Sequence, residues 1–228
     1  MKTAILIDGG FYRKRALNRW GKKSPQARAD ELYAYCMAHI TDKDFEKREL
    51  YRIFYYDCPP TTKNVYHPLL KKTIDFGKGE TFSWTNDFFD ALKHKRKVAL
   101  RMGELSDAFA GFNIKPDPLK KLLNGQISPE ELTERDFYVT FMQKGVDMKI
   151  GLDIASVAYK RQVNQIILIS GDSDFVPAAK LARREGVDFI LDPMWAPIKP
   201  SLMEHIDGLE SEWKSRKFKE DKDNLLEE

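Results

Sequence analysis

Apolar positions in this chain fall into short solid blocks separated by stretches with helical spacing. Thr3–Ile7 is one block, Val163–Ser170 supplies Val163, Ile166, Ile167, Leu168 and Ile169 as a second, and Val187–Leu191 is a third. Short runs rich in β-branched residues are the mark of parallel strands covered on both faces. Between them, Pro25–Ile40 sets Ala29, Leu32, Tyr33, Cys36 and Ile40 on one helical stripe. Val146–Lys160 does the same with Val146, Ile150, Leu152, Ile154, Ala155, Val157 and Ala158, and Phe175–Glu185 with Phe175, Val176, Ala179 and Ala182. Strands alternating with helices predict an α/β chain with a doubly wound, mainly parallel sheet.

The remaining stretches are read in the same way. Glu49–Tyr56 is a second strand, halted by Asp57-Cys58-Pro59-Pro60. Helices are predicted over Thr62–Thr73, where His67-Pro68 interrupts, over Thr85–Lys97 with Phe88, Phe89 and Leu92 as its apolar side, and over Lys199–Trp213. Val98–Glu104 and Asp136–Phe141 read as strands that pair in an antiparallel ribbon at a sheet edge. Residues 106–135 between them, with Pro116, Pro118 and Gly125, form an excursion whose role is not legible. The expectation is a single domain over residues 1–213 with 106–135 as an insertion, followed by a charged, disordered tail, Lys214–Glu228.

Composition narrows the class. A chain of 228 residues, 42% hydrophobic and 32% charged, is an ordinary globular protein able to bury a core. A net charge of +3 excludes a general polyanion-binding surface, although basic residues cluster at Arg13, Lys14, Arg15, Arg19, Lys22 and Lys23. Cys36 and Cys58 form no CxxC, so neither a zinc motif nor a disulfide framework follows, and a reducing cytoplasm is the simplest setting. No apolar stretch reaches membrane length, which predicts a soluble protein without a membrane partner. None of His39, His67, His94 and His205 has a neighbour at metal-ligand spacing in the sequence.

Carboxylates carry the chemical signal. Asp8 ends the first strand, and Asp172 and Asp174 follow the Val163–Ser170 block in Gly-Asp-Ser-Asp. Open α/β sheets bind ligands beyond the carboxyl ends of their strands. Each residue also has a plainer reading: Asp8 as the N-cap of Phe11–Arg19, the Gly-Asp turn as a cap for the next helix, and Asp147 as a first-turn acid favoured by the helix dipole. Asp57 reads as a turn residue. If the strands of Asp8 and Asp172 are neighbours, three carboxylates share one rim and Asp147 can join them. Such carboxylates repel, and some must hold protons unless a cation is present. A hard ion such as Mg²⁺ or Mn²⁺ suits oxygen-only ligation, and can activate water and stabilise charge on a phosphate. Asp153, six residues after Asp147, lies roughly 120° away around the helix and is a secondary candidate.

Three segments carry a resemblance: ILIDGGFY, KGVDMKIGLDIASVAY and IILISGDSDFVPAAKLARREGV. In order and spacing the chain resembles the NYN domain family, specifically its LabA-like branch within the PIN-like nuclease superfamily, from Met1 to about Trp213. The resemblance implies a PIN-like three-layer α/β/α sandwich with a mainly parallel central sheet, and a metal-dependent ribonuclease site using Mg²⁺ or Mn²⁺ on RNA. Asp8, Asp147, Asp172 and Asp174 stand on its acidic motif positions, with Asp153 on a further recurrent one. Arg13, Lys14, Lys144 and Lys149 are the candidate phosphate contacts. The chain departs from the pattern in one place: many relatives have Asp-Gly-X-Asn after the first strand, and this chain has Asp8-Gly9-Gly10-Phe11. Two alternatives stay open. One is a PIN-like module that binds RNA or a partner without turnover. The other is a haloacid-dehalogenase-like phosphatase, which lacks support because Gly10 stands where that chemistry needs a second Asp. Homo-oligomer formation is also left open.

Overall fold

The structure is a computed structural model describing residues 1–41 and 47–213, with backbone only at 107–109; the tail predicted over Lys214–Glu228 lies outside the described residues. In chain order the elements are β1 (Lys2–Asp8), α1 (Gly9–Trp20), α2 (Pro25–Ile40), β2 (Glu49–Asp57), β3 (Asn64–His67), β4 (Lys72–Asp75), α3 (Glu80–Lys93), β5 (Val98–Met102), β6 (Glu104–Ile114), α4 (Pro116–Leu123), β7 (Phe137–Lys144), α5 (Val146–Tyr159), β8 (Gln165–Ile169), α6 (Val176–Arg184), β9 (Asp188–Asp192), α7 (Pro200–Met203) and β10 (Gly208–Leu209). Backbone proximity groups them into two compact units. Among the described residues, one takes those within Met1–Asp57, Phe88–Met102 and 146–213; the other takes Cys58–Asp87 and Gly103–Gly145. No helix among the described residues is long and apolar enough to cross a membrane.

The first unit is built on a six-stranded sheet in the order β10-β9-β8-β1-β2-β5, every neighbouring pair parallel. β8 is buried along its whole length and β1 from Thr3 to Ile7, as their unbroken apolar runs predict. Alternation along β2 shows both faces covered. The Tyr55 ring lies 5.7 Å from Phe88 at the end of α3, while Tyr56 donates from its hydroxyl to Asp153 of α5. With α1 and α2 against β1 and β2, and α5 packed on α6 as well as on the sheet, the result is a three-layer α/β/α sandwich.

The winding matters for function. From β1 the chain builds outward through β2 and β5, then returns to the other side of β1 for β8, β9 and β10. β1 and β8 are therefore adjacent strands whose connections diverge, and the crevice beyond their carboxyl ends is the topological switch point.

Two expectations fail in this unit. Val98–Glu104 does not pair with Asp136–Phe141 as a whole: its first five residues are β5, parallel to β2 at the sheet edge, and only Glu104 at its end enters an antiparallel ribbon. Lys199–Trp213 is not one helix. α7 stops at Met203, and Asp207 then accepts from the Phe189 backbone N–H at 2.9 Å and from Arg183 at 2.8 Å. Those bonds turn the chain so that Gly208–Leu209 adds a parallel strand beside β9. A Cβ at Gly208 would stand 2.6 Å from Ile190 Cδ1, so a larger residue there requires that side chain end to move.

In the second unit β6 and β7 form an antiparallel ribbon and β3 and β4 a hairpin. The ribbon is the one expected of Asp136–Phe141, but its partner is Glu104–Ile114. The helix predicted over Thr62–Thr73 is this hairpin. Pro68 holds His67 extended, Val65 and His67 alternate inward, and the turn uses Lys71 at φ 50°. The buried His67 ring packs on Phe112 and Phe137 at 4.2 and 5.0 Å between centroids.

Candidate active site

β1 delivers Asp8 to the switch point, and the turn after β8 delivers Asp172 and Asp174 to the same place. Asp8 caps α1, its Oδ1 accepting from the Phe11 N–H at 3.1 Å. Its Oδ2 accepts from the Ser170 hydroxyl at 3.3 Å, and the same Ser170 oxygen accepts from the Asp172 N–H at 3.3 Å. Fully buried Ser170 thus ties the two strand ends together. Asp172 Oδ1 accepts from the Asp174 N–H at 3.0 Å, which turns the chain into a short 3-10 segment ahead of α6 and leaves both carboxylates exposed. Asp147 sits in the first turn of α5. The plain capping readings of Asp8 and Asp172 are therefore true, and they leave the second oxygen of each carboxylate aimed elsewhere.

Electrostatics link the four acids. Burial raises the Asp8 carboxyl above its ordinary range, the Phe11 N–H and Ser170 pull it back, and the charges of Asp147 and Asp57 push it further up. Burial also raises Asp147, reinforced by the negative charges of Asp172 and Asp174. In both carboxyls burial is the larger cause, and the negative charges of the neighbouring acids add to it. The donor set is oxygen only, which fits a hard divalent cation. Among the described residues no three of these carboxylates bring ligand oxygens within 4.8 Å of one another.

The other candidates are distributed differently. Asp153 is engaged away from this group: its Oδ2 accepts from Tyr56 at 2.8 Å and from Arg101 Nε at 3.1 Å. Arg13 is ion-paired to Asp57 at 3.0 Å, and Lys149 donates to the Met102 carbonyl. Lys14 is exposed on α1, and Lys144 is exposed at the end of β7 in the second unit.

Sequence reasoning missed three contributors. Asp57, read as a turn residue, is buried at the end of β2, accepting from Tyr55 at 3.0 Å as well as from Arg13, and its charge reaches Asp8. A strand-end Asp beside prolines gave little sign of this. Ser170 carries no motif beyond its place before Gly171. Lys199, whose ammonium donates to Ser173 at 3.0 Å, comes from a distant loop. Gly9 shows why its position is glycine. A Cβ there would lie 2.6 Å from both Asp57 Oδ2 and the Tyr55 hydroxyl, whereas one at Gly10 meets nothing closer than Asp8 Oδ1 at 3.5 Å. The Phe11 ring lies over the Gly171 backbone, its Cε2 standing 2.9 Å from where a Cβ would be.

The NYN domain model matches residues 2–197. No curated protein matches the chain. Among solved structures, a protein of unknown function from Vibrio parahaemolyticus is similar at 13% identity, over 91% of this chain and 90% of that one, with a TM-score of 0.44. A likeness at that level carries no argument about activity. The family match spans most of the chain and takes in Asp8, Asp147, Asp172 and Asp174, so the chain belongs to the NYN domain family of the PIN-like nuclease superfamily, whose nucleases generally use divalent metals.

Proposed function

We propose that this protein is an endoribonuclease of the LabA-like branch that hydrolyses RNA phosphodiester bonds with Mg²⁺ or Mn²⁺. The observation that carries the reading is the convergence of Asp8, Asp172 and Asp174 on the β1–β8 switch point, with Asp147 electrostatically coupled to them. Asp8, Asp172 and Asp174 would hold the cation, and Asp147 would bind it or accept a proton from the attacking water. The cation would supply Lewis-acid activation of water and charge stabilisation on the phosphate. Ser170 fixes the second Asp8 oxygen, and Arg13, paired with Asp57, braces the β2 end of the rim as well as offering charge to a phosphate. Lys14 and Lys149 are the further proposed phosphate contacts in the first unit, and Lys144 is a proposed phosphate contact of the second unit by itself. Asp153 keeps a secondary place, since its bonds to Tyr56 and Arg101 already occupy it. Residues 1–213 are taken as one NYN domain with 106–135 as an insertion, and the two buried thiols, Cys36 and Cys58, suit a cytoplasmic setting.

A Mn²⁺-soaked crystal tests the metal assignment through anomalous scattering. A peak among the four aspartates is expected, and its absence at saturating Mn²⁺ would remove the basis for the reading. One observation favours a second reading. Phe11 lays an apolar ring over Gly171 where relatives offer an Asn, which suits a module that binds RNA without cutting it. Salt-sensitive RNA binding with no turnover across several divalent ions would select that reading.

A further inference from the structure

A second group of potential ligands lies in the first unit, on residues the aspartate rim does not use. His39, near the end of α2, meets Glu210 and Glu212, which follow and flank β10; one ligand atom from each lies within 4.8 Å of the others. Sequence spacing gave no hint of this, because about 170 residues separate the imidazole from the carboxylates. The His39 side chain is fully buried. Its Nε2 lies 2.9 Å from Asp192 Oδ2, and that carboxylate is itself locked by Tyr35 at 2.6 Å, the Met194 N–H at 2.7 Å and Ser211 at 2.7 Å. Such a carboxylate accepts a hydrogen bond from Nε2–H, which leaves Nδ1 on the opposite side of the ring, facing away from it.

Nδ1 is then the informative atom. It is buried and among the described residues has no hydrogen-bond partner, yet it faces Glu210 Oε2 at 3.8 Å and Glu212 Oε1 at 3.9 Å. Burial disfavours an imidazolium while Asp192, Glu210 and Glu212 favour it and raise the His39 pKa, so a proton competes for Nδ1; at 3.8 and 3.9 Å, however, it meets neither oxygen within hydrogen-bond range. A cation can reach both. Ligands bound at about 2.0–2.2 Å stand roughly 3.4 Å apart at tetrahedral angles and wider as the angle opens, so a small contraction closes the set. Glu210 is already oriented for this by Arg48, whose Nη1 and Nη2 contact Oε2 and Oε1 at 2.8 and 2.7 Å while Nη1 also donates to the His39 carbonyl at 2.9 Å. A hydrogen-bonded imidazole and a hydrogen-bonded carboxylate are the supporting shell that metal ligands usually have. Three carboxylates, Asp192, Glu210 and Glu212, face the imidazole. A solvent-connected cavity lined by His39, Glu210, Glu212, Gln165 and Asp188 supplies the route in.

We propose that His39, Glu210 and Glu212 bind one divalent cation of the borderline Zn²⁺ class, clamping the end of α2 to the β10 edge of the sheet. The mixed nitrogen–oxygen set distinguishes it from the all-oxygen rim, so X-ray absorption of the full chain loaded with one equivalent of ZnCl₂ is decisive. An imidazole in the zinc shell is expected, unchanged in Asp172→Asn and lost in His39→Gln. Glu212→Gln, which keeps shape and leaves His39 in place, should weaken zinc binding by at least about 10-fold in calorimetric titration. An all-oxygen zinc shell, no zinc retained after gel filtration, or unaltered affinity in Glu212→Gln would each overturn the proposal.

Discussion

Two adjacent glycines give the sharpest test of how the rim is assembled, because the same substitution should act with opposite sign at each. Gly9 and Gly10 open α1, where Gly→Ala ordinarily stabilises by about 0.5–1 kcal/mol through backbone entropy. At Gly10 the added methyl meets only Asp8 Oδ1 at 3.5 Å, so Gly10→Ala should show that gain or no change. At Gly9 the methyl would sit 2.6 Å from Asp57 Oδ2 and from two atoms of Tyr55. Neither neighbour can yield easily. Tyr55 is fully buried with its ring 5.7 Å from Phe88 and 6.1 Å from Phe89, and Asp57 is held by Arg13. Overpacking of this kind costs about 1–3 kcal/mol. In a domain near 200 residues that corresponds to a fall in Tm of roughly 2–12 °C. Thermal unfolding followed by circular dichroism on both variants measures it. Equal Tm values for Gly9→Ala and Gly10→Ala would show that Asp57 and Tyr55 do not press on the start of α1, and the placement of Asp57 behind Asp8 would have to be abandoned.

The fold was legible where burial is two-sided. β1, β8 and β9 are apolar blocks because both faces of each strand are buried, and a block of that kind has few other readings. Legibility failed where the deciding force is not periodic. The β3–β4 hairpin is set by Pro68 and a positive-φ Lys71, and a hydrophobic count over Thr62–Thr73 cannot register either. The break in Lys199–Trp213 comes from Asp207 bonding back to Phe189 and Arg183, a contact between segments distant in sequence. At the candidate site, Asp8, Asp172 and Asp174 were visible as strand-end acids. The ties of Asp57 and Ser170 depend on which strands are neighbours, and His39 meets Glu210 and Glu212 only because β10 joins the sheet edge.

Several further outcomes follow from the geometry. Asn caps a helix as well as Asp does, so Asp8→Asn keeps the Phe11 bond while deleting a carboxylate that burial holds above its ordinary titration range. Such a group contributes stability below its unfolded value, about 3.9, that is lost as pH rises through the folded one. At pH 7 without cations, calorimetry should therefore find Asp8→Asn at least as stable as wild type, with the Mn²⁺-induced rise in Tm abolished. Asp153→Ala strips the partner from the buried Tyr56 hydroxyl, which should cost about 1–3 kcal/mol in urea unfolding while RNA turnover stays within a few-fold. Arg48 chiefly holds Glu210 down to about 2. Its contribution to stability is complete above an unfolded value near 4.3 and drains away as pH falls toward the folded one. In acid titrations of zinc-free protein, Arg48→Gln should flatten that part of the stability profile.

The most direct measurement is cleavage of a mixed-sequence RNA by wild type and Asp172→Asn in Mn²⁺, with chelator as control. A cation worth several kcal/mol of transition-state stabilisation makes its loss a fall of about 10²–10³-fold or more. The account predicts internal cuts by wild type, abolished by chelator and reduced to that extent in Asp172→Asn. Cleavage that persists unchanged in chelator or in the variant would contradict it.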